Sequence, residues 1–244
     1  NEVEQVVHDY EKLLLSHMPA LLDETGSFTA STLASRLTKT FDLMGGAFSI
    51  DAGDTSSMAA ISAGIGMLLD QSVDMVMCAA GQRSMDITVY EGFTMREGLA
   101  KGEPKPSFSQ SMDGVVPGEG AAVVMLKRLA DAQRDGDRIR GVIRGLGVAL
   151  DANQYPESYR KATDRALTLG QVSPQTIGMV EAASIGTKET DEQEVTVLGN
   201  MLAADDRQVP AVLTSSISQI GHTLGLSGMV SLINGFQRSF QQSI

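Results

Sequence analysis

The stretch from Thr55 to Asp70 most constrains how this chain can fold. It is composed almost entirely of Ala, Ile, Leu, Met, Gly and Ser, and apolar residues occupy every side of a helix drawn through it. A helix without a polar stripe is buried on nearly every side. The short apolar run Phe48–Ile50 precedes it and predicts a strand that enters the turn before the helix. The sequence therefore predicts a strand, a tight turn and a buried helix inside a sizeable core.

Helical and strand patterns alternate along the rest of the chain. Helices are predicted at Val3–Leu22, Thr29–Leu37, Tyr159–Leu169, Asp191–Met201 and Leu224–Phe236, strands at Val73–Ala80, Ala121–Leu126, Arg138–Val148, Ile177–Ala182 and Val212–Ser215, and a polar turn at Ala130–Gln133. This alternation is typical of a layered α/β fold. No linker interrupts it, and we expect one domain over residues 1–244.

Composition excludes several classes of function. The 244 residues are 42% hydrophobic and 20% charged, which is ordinary for a globular protein. The net charge of -11 argues against nucleic-acid or anionic-membrane binding, which needs clustered Lys and Arg. No apolar stretch is long enough to span a bilayer and the first residues lack a basic leader, so a cytoplasmic location is expected.

The single cysteine, Cys78, lies in the apolar run 74–81. One cysteine allows neither a disulfide framework nor a CxxC metal site. Buried thiols behave as small hydrophobic groups, so a structural role for Cys78 is favoured over a nucleophilic one.

The turn before the buried helix carries a recognisable motif. Residues 50–60 read I-D-A-G-D-T-S-S-M-A-A. This resembles the V-D-T-A-C-S-S-S-L-x-A turn of the β-ketoacyl synthase (ketosynthase) family, in which the cysteine is the nucleophile. Asp54 stands at the position of that cysteine.

Further motifs follow in the family's order. Residues 113–121 read D-G-V-V-P-G-E-G-A, residues 126–132 read L-K-R-L-A-D-A, and residues 135–145 read D-G-D-R-I-R-G-V-I-R-G. Each is similar to a block of the ketosynthase pattern, and several ordered motifs are far more specific than one.

The two histidine motifs are present in altered form. Residues 180–187, followed by Asp191 and Glu194, match V-E-A-H-G-T-G-T…D…E, but Ala183 replaces the histidine. Residues 216–223 match V-K-S-N-I-G-H-T, with Ile217 in place of the lysine and Gln219 in place of the asparagine. Of the Cys-His-His set only His222 is retained.

The resemblance implies a thiolase-type fold, of which this chain covers the middle of a domain, truncated at both ends. It also implies dimerisation beside the strand that feeds the turn, here Phe48–Ile50. Condensation in the family needs a thiolate at a helix N-terminus and donors that hold the developing enolate. We therefore expect no active catalytic residue at the degenerate positions Asp54, Ala183 and His222, and no bound cofactor or metal.

Two of these positions admit structural interpretations. A carboxylate at a helix start can accept hydrogen bonds from free N–H groups, so Asp54 is predicted to cap Ser56 or Ser57. His222 is interpreted as a histidine satisfied by backbone groups at the start of a glycine-rich helix, ahead of a retained contact to an acyl or malonyl group. Gly221, Gly225 and Gly228 share a helical face and indicate close packing.

Three functions remain open. The leading hypothesis is a catalytically silent partner of an active ketosynthase in polyketide or fatty acid biosynthesis, similar to a chain length factor that shapes the acyl tunnel. Its expected partners are that ketosynthase and the phosphopantetheine arm of an acyl carrier protein. The alternatives are a malonyl-carrier decarboxylase of the loading type, which Ala183 argues against, and a purely structural dimerisation module.

Overall fold

The computed structural model describes residues 2–17, 30–83, 86–95, 98–150, 155–203 and 210–241. They divide into two compact units, Asn1–Ile50 and Asp51–Ile244. The first unit contains helix α1 (Glu2–His17) and helix α2 (Ala30–Phe41). The second unit contains every strand of the described chain and all positions of interest.

An antiparallel pair of strands forms the first sheet of the second unit. Strand β1 (Met75–Gln82) pairs with strand β2 (Gly120–Lys127), with Cys78 opposite Val124. Helix α3 (Ser56–Leu69) and helix α9 (Ser227–Gln241) contact this pair, and helix α4 (Ile87–Met95) and helix α5 (Leu129–Asp135) follow the two strands. The buried core comprises Ile61 of α3, Cys78 of β1, Met229 of α9 and Leu226 just before it.

Helix α3 is buried as its composition predicts. Ile61 is fully buried, and Gly64 lies close to Cys78 and Val76 of β1. The Ser57 hydroxyl accepts a hydrogen bond of 3.2 Å from the backbone N–H of Met229. Because that bond joins α3 to α9 inside the core, it fixes the start of α3 relative to the chain after His222.

A parallel pair of strands forms the second sheet. Strand β3 (Met179–Glu181) pairs with strand β4 (Val212–Thr214). The Glu181 carboxylate accepts hydrogen bonds from the Thr214 hydroxyl and from the Ser216 N–H. The loops that leave the carboxyl ends of β3 and β4 are therefore held side by side, which is where α/β sheets carry their sites.

Helices surround this second pair. Helix α6 (Tyr155–Gly170) packs against helix α7 (Lys188–Leu202), and the one-turn helix α8 (Ile217–Ile220) follows β4. Short 3₁₀ turns lie at Pro174–Thr176 and Leu224–Leu226. No helix of the described residues has the length and apolar character that crossing a membrane requires.

Most predicted elements are confirmed, with ends displaced by a few residues, but three are wrong. Phe48–Ile50 and Arg138–Val148 form no strand, and Ala130–Gln133 lies inside α5 instead of a turn. The predicted part of the first helix beyond His17 falls outside the described residues.

The segment Arg138–Val148 has the alternation of a strand and the surroundings of a linker. Its glycines lie directly against helices: a side chain at Gly147 would overlap the Ala162 carbonyl, and one at Gly145 the Ala166 carbonyl, both in α6. A strand needs a neighbouring strand for its hydrogen bonds, and this segment packs against helical backbone instead.

Candidate active site

The turn before α3 is held by its own side chains. Gly53 has a φ of 59°, in the left-handed region. The Asp51 carboxylate accepts a hydrogen bond of 3.0 Å from the Gly53 N–H, and the Thr55 hydroxyl donates to the Ala52 carbonyl at 2.8 Å. The Ser56 hydroxyl donates to the Gly53 carbonyl at 2.6 Å and accepts from the Ala52 N–H at 2.9 Å. This network defines a tight elbow between residues 51 and 56.

Asp54 lies at the tip of the elbow and is exposed. The prediction that it caps Ser56 or Ser57 is wrong. The N-cap residue of α3 is Thr55, and no side chain caps this helix end. The Ser56 N–H bonds to the Gly53 carbonyl at 3.1 Å, while Asp51 and Ser56 satisfy the polar groups of the turn. The Asp54 carboxylate is therefore left facing outward.

His222 is buried beside this elbow, with 4% of its surface exposed. Its Nδ1 accepts a hydrogen bond of 3.1 Å from the Leu224 N–H, so the neutral ring carries its hydrogen on Nε2. Backbone contacts satisfy the histidine as predicted, although Leu224 belongs to a 3₁₀ turn ahead of the glycine-rich helix. Burial lowers the pKa of His222, and the negative charge of Asp54 opposes that shift. The imidazole is therefore held mainly in its neutral form.

Glycines bring the His222 turn against the elbow. A Cβ at Gly225 would lie 3.2 Å from the Gly53 carbonyl oxygen, and one at Gly228 would overlap Met58. The close packing predicted for these two glycines is thus confirmed. Gly221, with a φ of 76°, lies instead against the backbone of residues 116–118.

The segment 114–118 lies between the two motif loops. The His222 N–H donates to the Val116 carbonyl at 2.7 Å, and the Gly118 N–H donates to the His222 carbonyl at 2.9 Å. At the other end of the segment, Gly186 packs against the Gly114 carbonyl. The loop that carries Ala183 and the loop that carries His222 therefore share one support.

The Ala183 loop is held from below by two buried carboxylates of α7. Glu194 accepts hydrogen bonds of 2.8 Å from the N–H groups of Ala183 and Ser184, and one of 2.9 Å from the Tyr159 hydroxyl. Asp191 accepts from the Ser184 hydroxyl and from the Gly186 N–H, both at 3.2 Å. The loop backbone is fully specified, while Ala183 itself presents only a methyl group.

Burial sets the protonation behaviour of this network. It raises the pKa of Asp191, against the lowering effect of its hydrogen bonds. It also raises the pKa of Tyr155 to about 12, with a smaller contribution from Glu194, and raises the pKa of Tyr159 further. Both phenols therefore stay protonated at neutral pH, and Tyr159 acts as a hydrogen-bond donor to Glu194.

Comparison with known proteins identifies this arrangement. The model of the β-ketoacyl synthase N-terminal domain matches residues 7–132, and that of the C-terminal domain matches residues 140–238. The chain belongs to the β-ketoacyl synthase family. Probable polyketide synthase 5 of Dictyostelium discoideum is 34% identical over 230 residues, which are 89% of this chain and 9% of that protein. A polyunsaturated fatty acid synthase of Thraustochytrium sp. is 33% identical over 228 residues, which are 87% of this chain and 8% of that protein.

Solved ketosynthases share the fold. The oxazolomycin ketosynthase domain of Streptomyces albus superposes with a TM-score of 0.82 at 26% identity, over 92% of this chain and 41% of the other. A ketosynthase from module 6 of the bacillaene synthase of Bacillus subtilis gives a TM-score of 0.80 at 27% identity, over 87% of this chain and 39% of the other. The described chain thus has the thiolase-like α/β fold over a fragment of a ketosynthase domain.

The ketosynthase pattern also exposes two departures that the sequence reasoning missed. In the run V-E-A-H-G-T-G-T, Ser184 stands at the first glycine and Ile185 at the first threonine. Ser184 keeps a φ of 42°, which glycine adopts more easily, and its hydroxyl bond to Asp191 holds it there. Both departures are visible in the motif itself, beside the more conspicuous loss at Ala183.

The only thiol of this ketosynthase-family chain is remote in character from a nucleophile. Cys78 is 4% exposed in β1, its Sγ contacts the Ala60 carbonyl at 3.6 Å, and burial raises its pKa to about 11. The predicted structural role for Cys78 agrees with this environment. Among the described residues no cluster of His, Cys, Asp or Glu is arranged to hold a metal ion.

Proposed function

We propose that this chain is a non-condensing ketosynthase-like domain that works beside an active ketosynthase, in the manner of a chain length factor. One observation carries the proposal: the exposed Asp54 occupies the nucleophile elbow at the start of α3, while the only thiol is buried in β1. A condensing enzyme must first accept an acyl group on a nucleophile, and a carboxylate that attacks a thioester forms a labile mixed anhydride.

The second support is the loss of donors where a thioester or enolate would be held. Ala183 contributes a methyl group in place of an imidazole, and Ile217 an apolar chain in place of an ammonium. Removing one such donor from an oxyanion site typically lowers the rate by about two to three powers of ten. Together with Asp54, these losses leave His222 without the groups it would act with.

The third support is that the scaffold around the lost side chains is intact. Glu194, Asp191 and Tyr159 hold the Ala183 loop, and Glu181 holds the chain after β4. Buried carboxylates with complete hydrogen bonding are costly to assemble. Their retention favours a protein that still needs the ketosynthase shape, for binding a partner or a carrier, over one in which the domain is decaying.

The partners follow from family membership. We propose an active, cysteine-bearing ketosynthase as the dimer partner and an acyl carrier protein whose phosphopantetheine arm visits the pair. The relatives are named as polyketide and polyunsaturated fatty acid synthases, which fits an acyl product made by a larger assembly. The chain spans only 9% and 8% of those two relatives, so the assembly belongs to the proposal.

The experiment measures acyl transfer, condensation and decarboxylation separately. The polypeptide that carries this chain is incubated with an acyl thioester, then with malonyl-carrier protein, and both protein mass and released CO₂ are followed. The proposal expects no acyl adduct, no β-ketoacyl product and no malonyl turnover above that of the His222→Ala variant.

Each competing function gives a different result. Malonyl decarboxylation that His222→Ala removes would favour the loading-type decarboxylase. An acyl adduct on Asp54 or Cys78, or a β-ketoacyl product made without a partner, would refute the proposal. Failure to associate with any ketosynthase, with the fold intact, would favour a purely structural module.

A further inference from the structure

A cavity of about 210 Å³ lies next to the Ala183 loop, and none of the elbow residues 51–56 lines it. Three parts of the chain form its wall: residues 100–116, residues 185–186 and residues 217–221. Drug-sized ligands occupy pockets of roughly 300–1,000 Å³. The cavity is therefore suited to a molecule of fewer atoms.

One hydroxyl in this cavity lacks a hydrogen bond. The Ser107 Oγ is buried and has no partner among the described residues, and Ser107 lines the cavity. A buried polar group left unsatisfied costs free energy, and almost all such groups in folded proteins are paired. A hydroxyl can both donate and accept, so a ligand hydroxyl or amide would satisfy it.

The charges in the cavity wall cancel. Lys105 Nζ lies 2.6 Å from Asp113 Oδ2, and both residues line the cavity. Because the ammonium is already paired, a carboxylate ligand would lose its hydration without gaining a free cation. A neutral ligand avoids that loss.

The remaining wall is apolar at two positions where the ketosynthase pattern has polar residues. Ile185 stands in place of a threonine and Ile217 in place of the lysine, and both line the cavity. A lysine at position 217 would place a charged amine at this wall. The two isoleucines instead offer apolar contact to a short hydrocarbon chain.

We infer that this cavity binds a small neutral molecule that combines a short apolar chain with one hydroxyl or amide group. The chain would pack on Ile185 and Ile217, and its polar group would bond to the Ser107 hydroxyl. This site is distinct from the elbow at Asp54, and the inference holds whether or not the chain is catalytically silent.

The test compares two probes that differ in charge alone. Hexanamide and hexanoate are titrated into the purified polypeptide at neutral pH, and binding is followed by ligand-observed nuclear magnetic resonance. We expect saturable binding of hexanamide and at least tenfold weaker binding of hexanoate. No saturable binding of hexanamide, or equal or tighter binding of hexanoate, would overturn the inference.

A pair of serine variants locates the probe. Ser107→Ala removes the unpaired hydroxyl and should weaken hexanamide binding by about 2- to 10-fold, the effect of one neutral hydrogen bond. Ser109→Ala is the matched control, because the Ser109 hydroxyl already pairs with that of Ser111 at 2.8 Å and does not line the cavity. Equal binding by the two variants would refute the assignment of Ser107.

A third variant closes the cavity. Ile217→Lys brings back the family residue and places a long charged side chain at the apolar wall. We expect it to abolish hexanamide binding while the thermal unfolding midpoint stays close to that of the unaltered protein. Unchanged binding by a folded Ile217→Lys protein would also overturn the inference.

Discussion

At the residue scale, the elbow keeps the electrostatics that suit a thiolate while lacking the thiol. Asp54 is exposed at the start of α3, where free N–H groups and the helix dipole favour negative charge. Its charge also acts on His222, whose pKa burial lowers. An anion at position 54 is therefore compatible with the elbow, and its chemistry alone has changed.

The first prediction restores the thiol. Asp54→Cys places an exposed thiol at a helix N-terminus, where its pKa should fall below the ordinary value of about 8.5. Iodoacetamide at pH 7 should modify this variant quickly and leave the unaltered protein unmodified, because burial raises the pKa of Cys78 to about 11. Intact-protein mass spectrometry reads both results.

Reactivity should not bring back synthesis. The same variant still lacks the donor at Ala183 and the cation at Ile217, so β-ketoacyl product should stay at background. Robust product formation by Asp54→Cys alone would show that these two losses matter less than we argue.

The second prediction concerns the left-handed residue of the Ala183 loop. Ser184→Ala keeps the unfavourable φ of 42° and removes the hydrogen bond to Asp191, so it should destabilise the fold by about 1–3 kcal/mol. Ser184→Gly loses the same bond but relieves the strain, and should cost less. Urea unfolding of both variants gives the order, and a glycine variant less stable than the alanine variant would contradict it.

At the element scale, α7 acts as the support of the candidate site. Its buried face carries Asp191 and Glu194, whose oxygens are used by the loop after β3. The apolar face of the same helix, at Val197 and Leu198, lies in the core. The helix is thereby anchored by packing at one end while its first turns orient the Ala183 loop.

The third prediction tests that support. Glu194→Gln would bring an amide NH₂ toward a backbone N–H that now donates to the carboxylate, so the variant should lose about 1–3 kcal/mol in the free energy of unfolding. Glu192→Gln on the same helix is the control, since Glu192 is 68% exposed and only 3.8 Å from Lys188 Nζ. Its change should stay within about 0.5 kcal/mol. Equal effects would remove the special role of Glu194.

The fourth prediction is a pH dependence. Because burial raises the pKa of Asp191 above its ordinary value of 3.8, the folded protein binds that proton more tightly than the unfolded chain. The contribution of Asp191 to stability therefore declines as pH rises from about 4 through the raised pKa. Asp191→Asn removes this dependence, so the stability of the unaltered protein relative to the variant should fall over that range. Denaturant unfolding from pH 4 to 8 measures it, and a relative stability that rises with pH would contradict the sign.

Sequence patterns predicted the elements whose surroundings are repeated in their own residues. Helix α3 is apolar all round and is buried, and β1 and β2 are short apolar runs between turns. Arg138–Val148 has the same alternation but lies against α6, and only the tertiary contacts of Gly145 and Gly147 reveal that. Asp54 was predicted to cap α3 because of its chemistry, whereas the turn is satisfied by Asp51 and Ser56 instead. Local pattern thus determines elements more reliably than partners.

At the scale of the whole molecule, the fold gathers motif segments that are far apart in the chain. Residues 51–56, 114–118, 183–187 and 217–223 come from four separate connections of the second unit. Segment 114–118 is hydrogen-bonded to the His222 loop and packed against Gly186, so the site geometry depends on the layered arrangement as a whole. This explains how the framework persists while individual catalytic side chains change.

The fifth prediction follows from pairing such a framework with an active partner. When the polypeptide is reconstituted with a cysteine-bearing ketosynthase and malonyl-carrier protein, the two proteins should contribute unequally to product formation. Asp54→Ala in this chain should leave the rate within about twofold, because Asp54 supplies no nucleophile, whereas replacing the partner's nucleophilic cysteine by alanine should abolish product. Glu194→Gln, which disturbs the framework, should lower the yield or alter product length where Glu192→Gln does not. Chromatography with mass detection of the products separates these outcomes. Loss of product with Asp54→Ala in a folded, associated complex would show that this chain takes part in the chemistry after all.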